Sequence, residues 1–239
     1  MRKILTLSAA LSATLACFAV TMPGPVAAAN AEAPVPTYDL LFRQGTLDRI
    51  GPDAVLHYRR VVTNHAKPEA ATRDTGEIAL SFAEGETRMA RLQFLQDEKH
   101  RSLGRFPASV GNPMIMVFYE SVIRDMAETA GGSPYYIRNR VKEALVRPAE
   151  IETGQARFGT RMIDTRTVTL RPFAEDPNRD RMQGFGDLEL RVTMSEEVPG
   201  WYLTLVAEAP DATGAPDGYL SELRFDMLDS DVPDGEAGQ

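Results

Sequence analysis

The chain has 239 residues, a formal net charge of −8 at pH 7 and a single cysteine, Cys17. An acidic chain argues against nucleic acid as a partner, and one thiol excludes a disulfide framework and gives a thiol-ligated zinc site no signature. About 200 residues remain once a leader is set aside, enough for one domain with its own core.

Residues 1–31 read as a signal peptide. Arg2-Lys3 is the basic start, Ile4 to Val20 is apolar and small, and Ala27-Ala28-Ala29 or Ala29-Asn30-Ala31 offers a cleavage site. Its removal takes away two basic and no acidic residues, so the net charge goes from −8 to −10. The expectation is an exported, periplasmic protein with no transmembrane span after cleavage, because the run is too short and Ala/Ser-rich to favour a span of ~20 residues. The alternative is a lipid anchor at Cys17, for which Thr14-Leu15-Ala16 is a poor lipobox. The cleaved chain has no cysteine and must stand on its hydrophobic core.

Residues 32–228 read as a single globular domain. An Ala/Pro lead-in is followed by Tyr38 to Arg43, which alternates as a strand. Asp53 to Thr63 is a longer strand with apolar and basic residues on both faces, so neither face reads as a clean core face. Asn64 to Asp74 shows no period and reads as a loop. Gly76 to Phe82 and Arg88 to Leu95 form a hairpin, and His100 to Phe106 adds a short strand.

The helical pattern is confined to an insert at 112–147. Asn112-Pro113 is a helix start. From Met114 the apolar residues run through Val122, Ile123 and Met126, while Glu120, Ser121, Arg124, Asp125 and Glu128 take the other face. Glu120 and Arg124 are four apart and can pair. The all-apolar first turn predicts a buried end. Gly131-Gly132 stops this helix. Ser133-Pro134 starts a second one, with Ile137, Val141, Ala144 and Leu145 as its stripe.

Beyond the insert, Ala149 to Thr153, Phe158 to Leu170, Asp187 to Met194, Trp201 to Ala207 and Tyr219 to Leu228 read as strands, with a polar loop from Pro172 to Gly186. Residues 229–239 are acidic and Pro/Gly-rich, and are expected to be a disordered tail. The fold class is therefore α+β and mainly antiparallel β: a curved sheet or partial barrel of about ten strands with the inserted helical pair packed on it.

This order of elements across Tyr38–Leu228 resembles the exported half-barrel proteins of the lipoprotein-carrier (LolA/LolB-like) type and related periplasmic domains. The stretches that carry the likeness are Tyr38-Asp39-Leu40, the alternating Asp187–Met194 and Val198-Pro199-Gly200-Trp201. The resemblance implies an apolar cavity between sheet and helices that holds acyl chains. It transfers no binding residue position by position.

Chemistry is sparse. His57, His65 and His100 are not at ligand spacing, so no metal site is predicted. Ser109 lacks the glycine two residues earlier that a nucleophile elbow needs, and no catalytic residue is assigned. Asp176, Asn178, Asp180 and Asp187 match part of a calcium-loop spacing, but Arg181 stands where that loop needs glycine, and an Asx-rich turn is the plainer account. There is no phosphate-binding glycine motif and no cofactor is expected.

Two surfaces remain. Met114, Met116, Phe118, Tyr119, Val122 and Met126 are candidates for the wall of an apolar ligand cavity, or else belong to a plain core helix. Arg138, Arg140 and Lys142 are candidates for a face that meets a partner or anionic headgroups, or else form a solvated helix face. The leading expectation is a non-enzymatic envelope protein that binds a hydrophobic ligand, a lipid or an acylated protein between sheet and helices. The other is an envelope interaction or scaffold domain with a packed core and no ligand.

Overall fold

A computed structural model describes residues 36–83, 85 and 87–230. The predicted signal peptide and residues 231–239 lie outside them. Among the described residues, nine strands form one antiparallel sheet. β1 (Ala54–Asn64), β2 (Gly76–Ala83), β3 (Met89–Gln96) and β4 (Lys99–Pro107) run as one meander. β5 (Glu150–Phe158), β6 (Arg161–Leu170), β7 (Glu189–Met194), β8 (Tyr202–Ala209) and β9 (Tyr219–Ser230) run as another. The two join where β9 returns to β1, from Asn64↔Tyr219 to Ala54↔Ser230. The order is β4-β3-β2-β1-β9-β8-β7-β6-β5, so β4 and β5 are open edges. Register shifts at His57/Tyr58, Leu92/Gln93 and Thr193/Met194 add local bend and twist to the ladders.

One face of the sheet carries the core. On β1 the residues Ala54, Leu56, Tyr58, Arg60, Val62 and Asn64 are all buried, while Arg59 and Val61 on the other face are exposed. The mixed composition that hides a core face in the sequence is thus resolved by pairing: Arg60 is buried because a carboxylate meets it. β8 is buried more fully, from Tyr202 to Ala209.

The insert forms α3 (Met114–Ala130) and α4 (Pro134–Val146). Asn112 shapes the start of α3: its Oδ1 accepts from the Met114 N–H at 3.0 Å, and its Nδ2 donates to Tyr58 and to the Gly200 carbonyl. Its buried stripe is Phe118, Ser121, Val122, Asp125 and Met126, at helical spacing. α4 buries Ile137, Val141 and Leu145, one per turn. Each such fully buried aliphatic side chain is worth roughly 1.5–3 kcal/mol. The first turn of α3 is not buried all round, because Met116 is 48% exposed.

Four local expectations are corrected. Tyr38–Arg43 is not a strand: Thr37–Leu41 forms the short helix α1, which reduces about ten strands to nine. Adjacent Leu40 and Leu41 are both buried, which a strand would prevent by pointing them to opposite faces. Their carbonyls accept from Trp201 Nε1 and the Tyr202 hydroxyl, and Tyr38 and Phe42 stack at 4.7 Å one turn apart.

The loop after β1 contains α2 (Pro68–Asp74), too short to show a period but started by a proline at its first position. Glu120 and Arg124 do not pair with each other: Glu120 takes Arg138, and Arg124 takes Asp74 and Asp125. The polar loop 172–186 is anchored by buried Phe173, Met182 and Phe185. β9 continues to Ser230, two residues into the stretch expected to be tail.

Candidate functional site: an arginine-lined slot beside helix α3

The structure divides the candidate cavity residues. Met114, Phe118, Tyr119, Val122 and Met126 are buried in the core, against Tyr58, Leu56, Tyr202 and their neighbours. Met116 stands apart on the outer flank of α3. There it lines a slot of about 230 Å³ between α3 and the β1–β4 half of the sheet.

The apolar lining is Met116 and Val117 from α3 with Leu103 and Phe106 from β4. Arg60, Arg101 and Arg124 line the slot too, as do Glu120 and Ser121. β4 is an edge strand, and its Leu103 and Phe106 are only half-buried. At 230 Å³ the slot is smaller than pockets that enclose drug-sized ligands, roughly 300–1,000 Å³. It suits part of a chain, not a whole large molecule.

Behind the slot lies an ion network. Arg60 and Asp125 meet at 3.4 Å, both nearly fully buried. Tyr219 donates its hydroxyl to Asp125 at 2.9 Å. Arg124 reaches Asp125 at 3.1 Å and Asp74 at 3.2 Å. Arg73 reaches Asp74 and Glu128, each at 2.9 Å. Arg101 comes no nearer than 3.9 Å to Asp74 and lies over the Phe94 ring, 5.1 Å from its centroid.

The two aspartates are tuned in opposite directions. Burial is the largest influence on Asp125 and pushes its carboxyl up; Arg60, Arg124 and Tyr219 pull the other way and do not cancel it. Burial is also the largest single influence on Asp74, but Arg73, Arg124 and Arg60 together outweigh it and hold the carboxyl below the usual range. Burial lowers Arg60.

The predicted partner face is largely occupied from within. Arg138 makes two hydrogen bonds to Glu120, at 2.7 and 2.6 Å. Arg140 bonds Glu143 at 2.8 Å and lies 3.4 Å from buried Asp176. Lys142 is exposed.

The three histidines do not share one site. His57 meets Glu77 at 2.6 Å, while His65 and His100 line a broad open groove beside α2. Ser109 is exposed in a single 3-10 turn. In the 176–187 loop, Asp176 accepts from the Asn178 N–H and from Tyr136, and Asp187 pairs with Arg179. Among the described residues, no group of three or more acidic, His or Cys side chains is placed to hold a metal.

Reasoning from sequence missed Arg60, Arg101, Arg124, Leu103, Phe106 and Val117 as slot residues. The sequence reading puts Ser121 and Asp125 on the polar face of α3, but they share the spacing of Phe118, Val122 and Met126 and are buried with them. An acid on a buried stripe needs a basic partner, and that spacing is the available signal for the network.

No protein-family model matches the chain, and no curated protein does. Among solved structures it is similar to the crystal structure of Mycobacterium tuberculosis lipoprotein LppX. The TM-score is 0.34 and the sequence identity 10%, over 82% of this chain and 97% of that one. No described helix is long and apolar enough to cross a membrane.

Proposed function

We propose that this is a non-enzymatic envelope protein that holds an apolar chain, free or attached to an acylated partner, in the slot between α3 and β4. One observation carries the reading: four apolar side chains, Leu103, Phe106, Met116 and Val117, line an open slot that the fold leaves unfilled. Apolar surface left open at a defined site is a mark of ligand contact. The ligand lies between sheet and helix, on the flank of α3, with Met116 as the one member of the Met/aromatic set that touches it.

Native mass spectrometry after mild purification, followed by titration with a fluorescent alkyl probe, tests this. Val117→Trp fills the slot and should abolish probe binding while the thermal melt stays within a few degrees. Equal probe binding by wild type and Val117→Trp, or none by either, overturns the reading.

A second reading has its own support. The space beneath α3 is packed, and among the described residues β5 pairs only with β6 and is exposed along nearly its whole length. An unpaired edge of this kind accepts a partner's strand. Under this reading the protein is an envelope interaction domain, with β5 as its docking edge and Lys142 at its basic face. Gln155→Pro would then remove partner capture in crosslinking, and Val117→Trp would not.

A further inference from the structure

The charges around the slot do not balance, and the imbalance specifies a ligand. Four guanidinium groups belong to the network: Arg60, Arg73, Arg101 and Arg124. Three carboxylates answer them: Asp74, Asp125 and Glu128. Glu120, the one carboxylate that lines the slot itself, is consumed by its paired bonds to Arg138.

One positive charge is left over, and geometry assigns it to Arg101. Among the described residues, Arg60, Arg73 and Arg124 each have a carboxylate oxygen within 3.4 Å, whereas Arg101 has none nearer than 3.9 Å. Its side chain is half exposed and lines the slot with Leu103, Phe106 and Met116. A guanidinium with free donors beside an apolar wall matches a molecule with one anionic oxygen head and an alkyl chain.

We infer that the slot selects a singly anionic, single-chain amphiphile, with its head on Arg101 and its chain against Leu103, Phe106, Met116 and Val117. This rests on the slot reading above and adds the charge and headgroup class of the ligand. The recognised chemistry is a carboxylate or monoanionic phosphate oxygen pair. A free fatty acid supplies it, and so does a lipid headgroup.

Calorimetric titration of the purified protein with dodecanoate, dodecanol, dodecyl phosphate as its methyl diester (a monoanion at neutral pH), acetate and inorganic phosphate tests the inference. Dodecanoate and dodecyl phosphate should bind roughly tenfold or more tightly than dodecanol, the worth of one charge-assisted hydrogen bond. That preference should shrink as salt rises, because Arg101 is half exposed. Arg101→Gln should bring dodecanoate down to the level of dodecanol, and Arg101→Lys should keep part of the preference. Arg101 lies half exposed on an edge strand, so these variants should keep the wild-type melt.

Equal binding of dodecanoate and dodecanol overturns the headgroup assignment and leaves the slot reading intact. No binding of any alkyl compound overturns the slot reading itself. Acetate or phosphate binding as tightly as dodecanoate overturns the amphiphile, leaving a bare anion site. Preference for dodecanoate over dodecyl phosphate assigns a carboxylate source, and the reverse assigns a phosphate one; either result supports the inference.

Discussion

Arg60 on β1 and Asp125 on α3 meet at 3.4 Å with only 4% and 6% of their side chains exposed. Together they tie the helix to β1, next to the middle strand of the sheet. Asp125→Leu leaves the Arg60 charge buried without its nearest partner, and should cost about 3–5 kcal/mol in urea unfolding. Arg60→Met combined with Asp125→Leu should recover most of that loss, because neither charge is then stranded. If the double variant is as unstable as the single one, the pair is not the unit that matters.

The two aspartates should give stability opposite dependences on pH. The Asp74 carboxyl is depressed, so its contribution is present above the unfolded value of about 3.9 and is lost as pH falls through its lower folded value. The Asp125 carboxyl is raised, so its contribution is present below about 3.9 and is lost as pH rises through its higher folded value. Urea midpoints across the acid range should show both limbs. Asp74→Asn should flatten the lower one and Asp125→Asn the upper one.

Asn112 holds three elements at once, through Tyr58 at 3.0 Å, the Gly200 carbonyl at 2.8 Å and the Met114 N–H at 3.0 Å. Asn112→Ala leaves buried groups unpaired and should cost about 1–3 kcal/mol. In a domain of this size that lowers Tm by about 2–4 °C per kcal/mol, which calorimetry resolves.

Two glycines with similar backbones should respond differently to alanine. Gly111 has φ +104°, and an added Cβ would lie 2.3 Å from the Arg43 carbonyl oxygen. Gly131 has φ +77° and nothing within 4 Å of the same atom. Gly131→Ala should therefore cost only the backbone strain, of order 1–3 kcal/mol. Gly111→Ala should add a steric cost of about 1–3 kcal/mol. Comparable unfolding midpoints for the two variants would mean that the Arg43 segment yields freely.

Period and punctuation made most of the fold readable. Asn112-Pro113, Gly131-Gly132 and Ser133-Pro134 bracket α3 and α4, and Leu188, Leu190 and Val192 alternate as β7 requires. What stayed hidden depends on partners distant in sequence. Leu40 and Leu41 are drawn into a helical turn by Trp201 and Tyr202, more than half the chain away. Arg60 reads as a polar intrusion until Asp125 faces it. The slot was invisible for the same reason: Met116 looks like its neighbours Met114 and Phe118, and only the open edge at β4 sets it apart.

The seam between β1 and β9 has a temporal consequence. The strand translated first in the sheet has its longest ladder with the strand translated last, so a nascent chain can form β1–β4 and β5–β8 but cannot zip them together until β9 is available. Closure of this kind is slow, because distant segments must find each other before any contact rewards them. Truncation ahead of Tyr219 should leave one chain with two unjoined sheet segments and exposed oily faces, so the 12 residues Tyr219–Ser230 act as the clasp of the whole sheet.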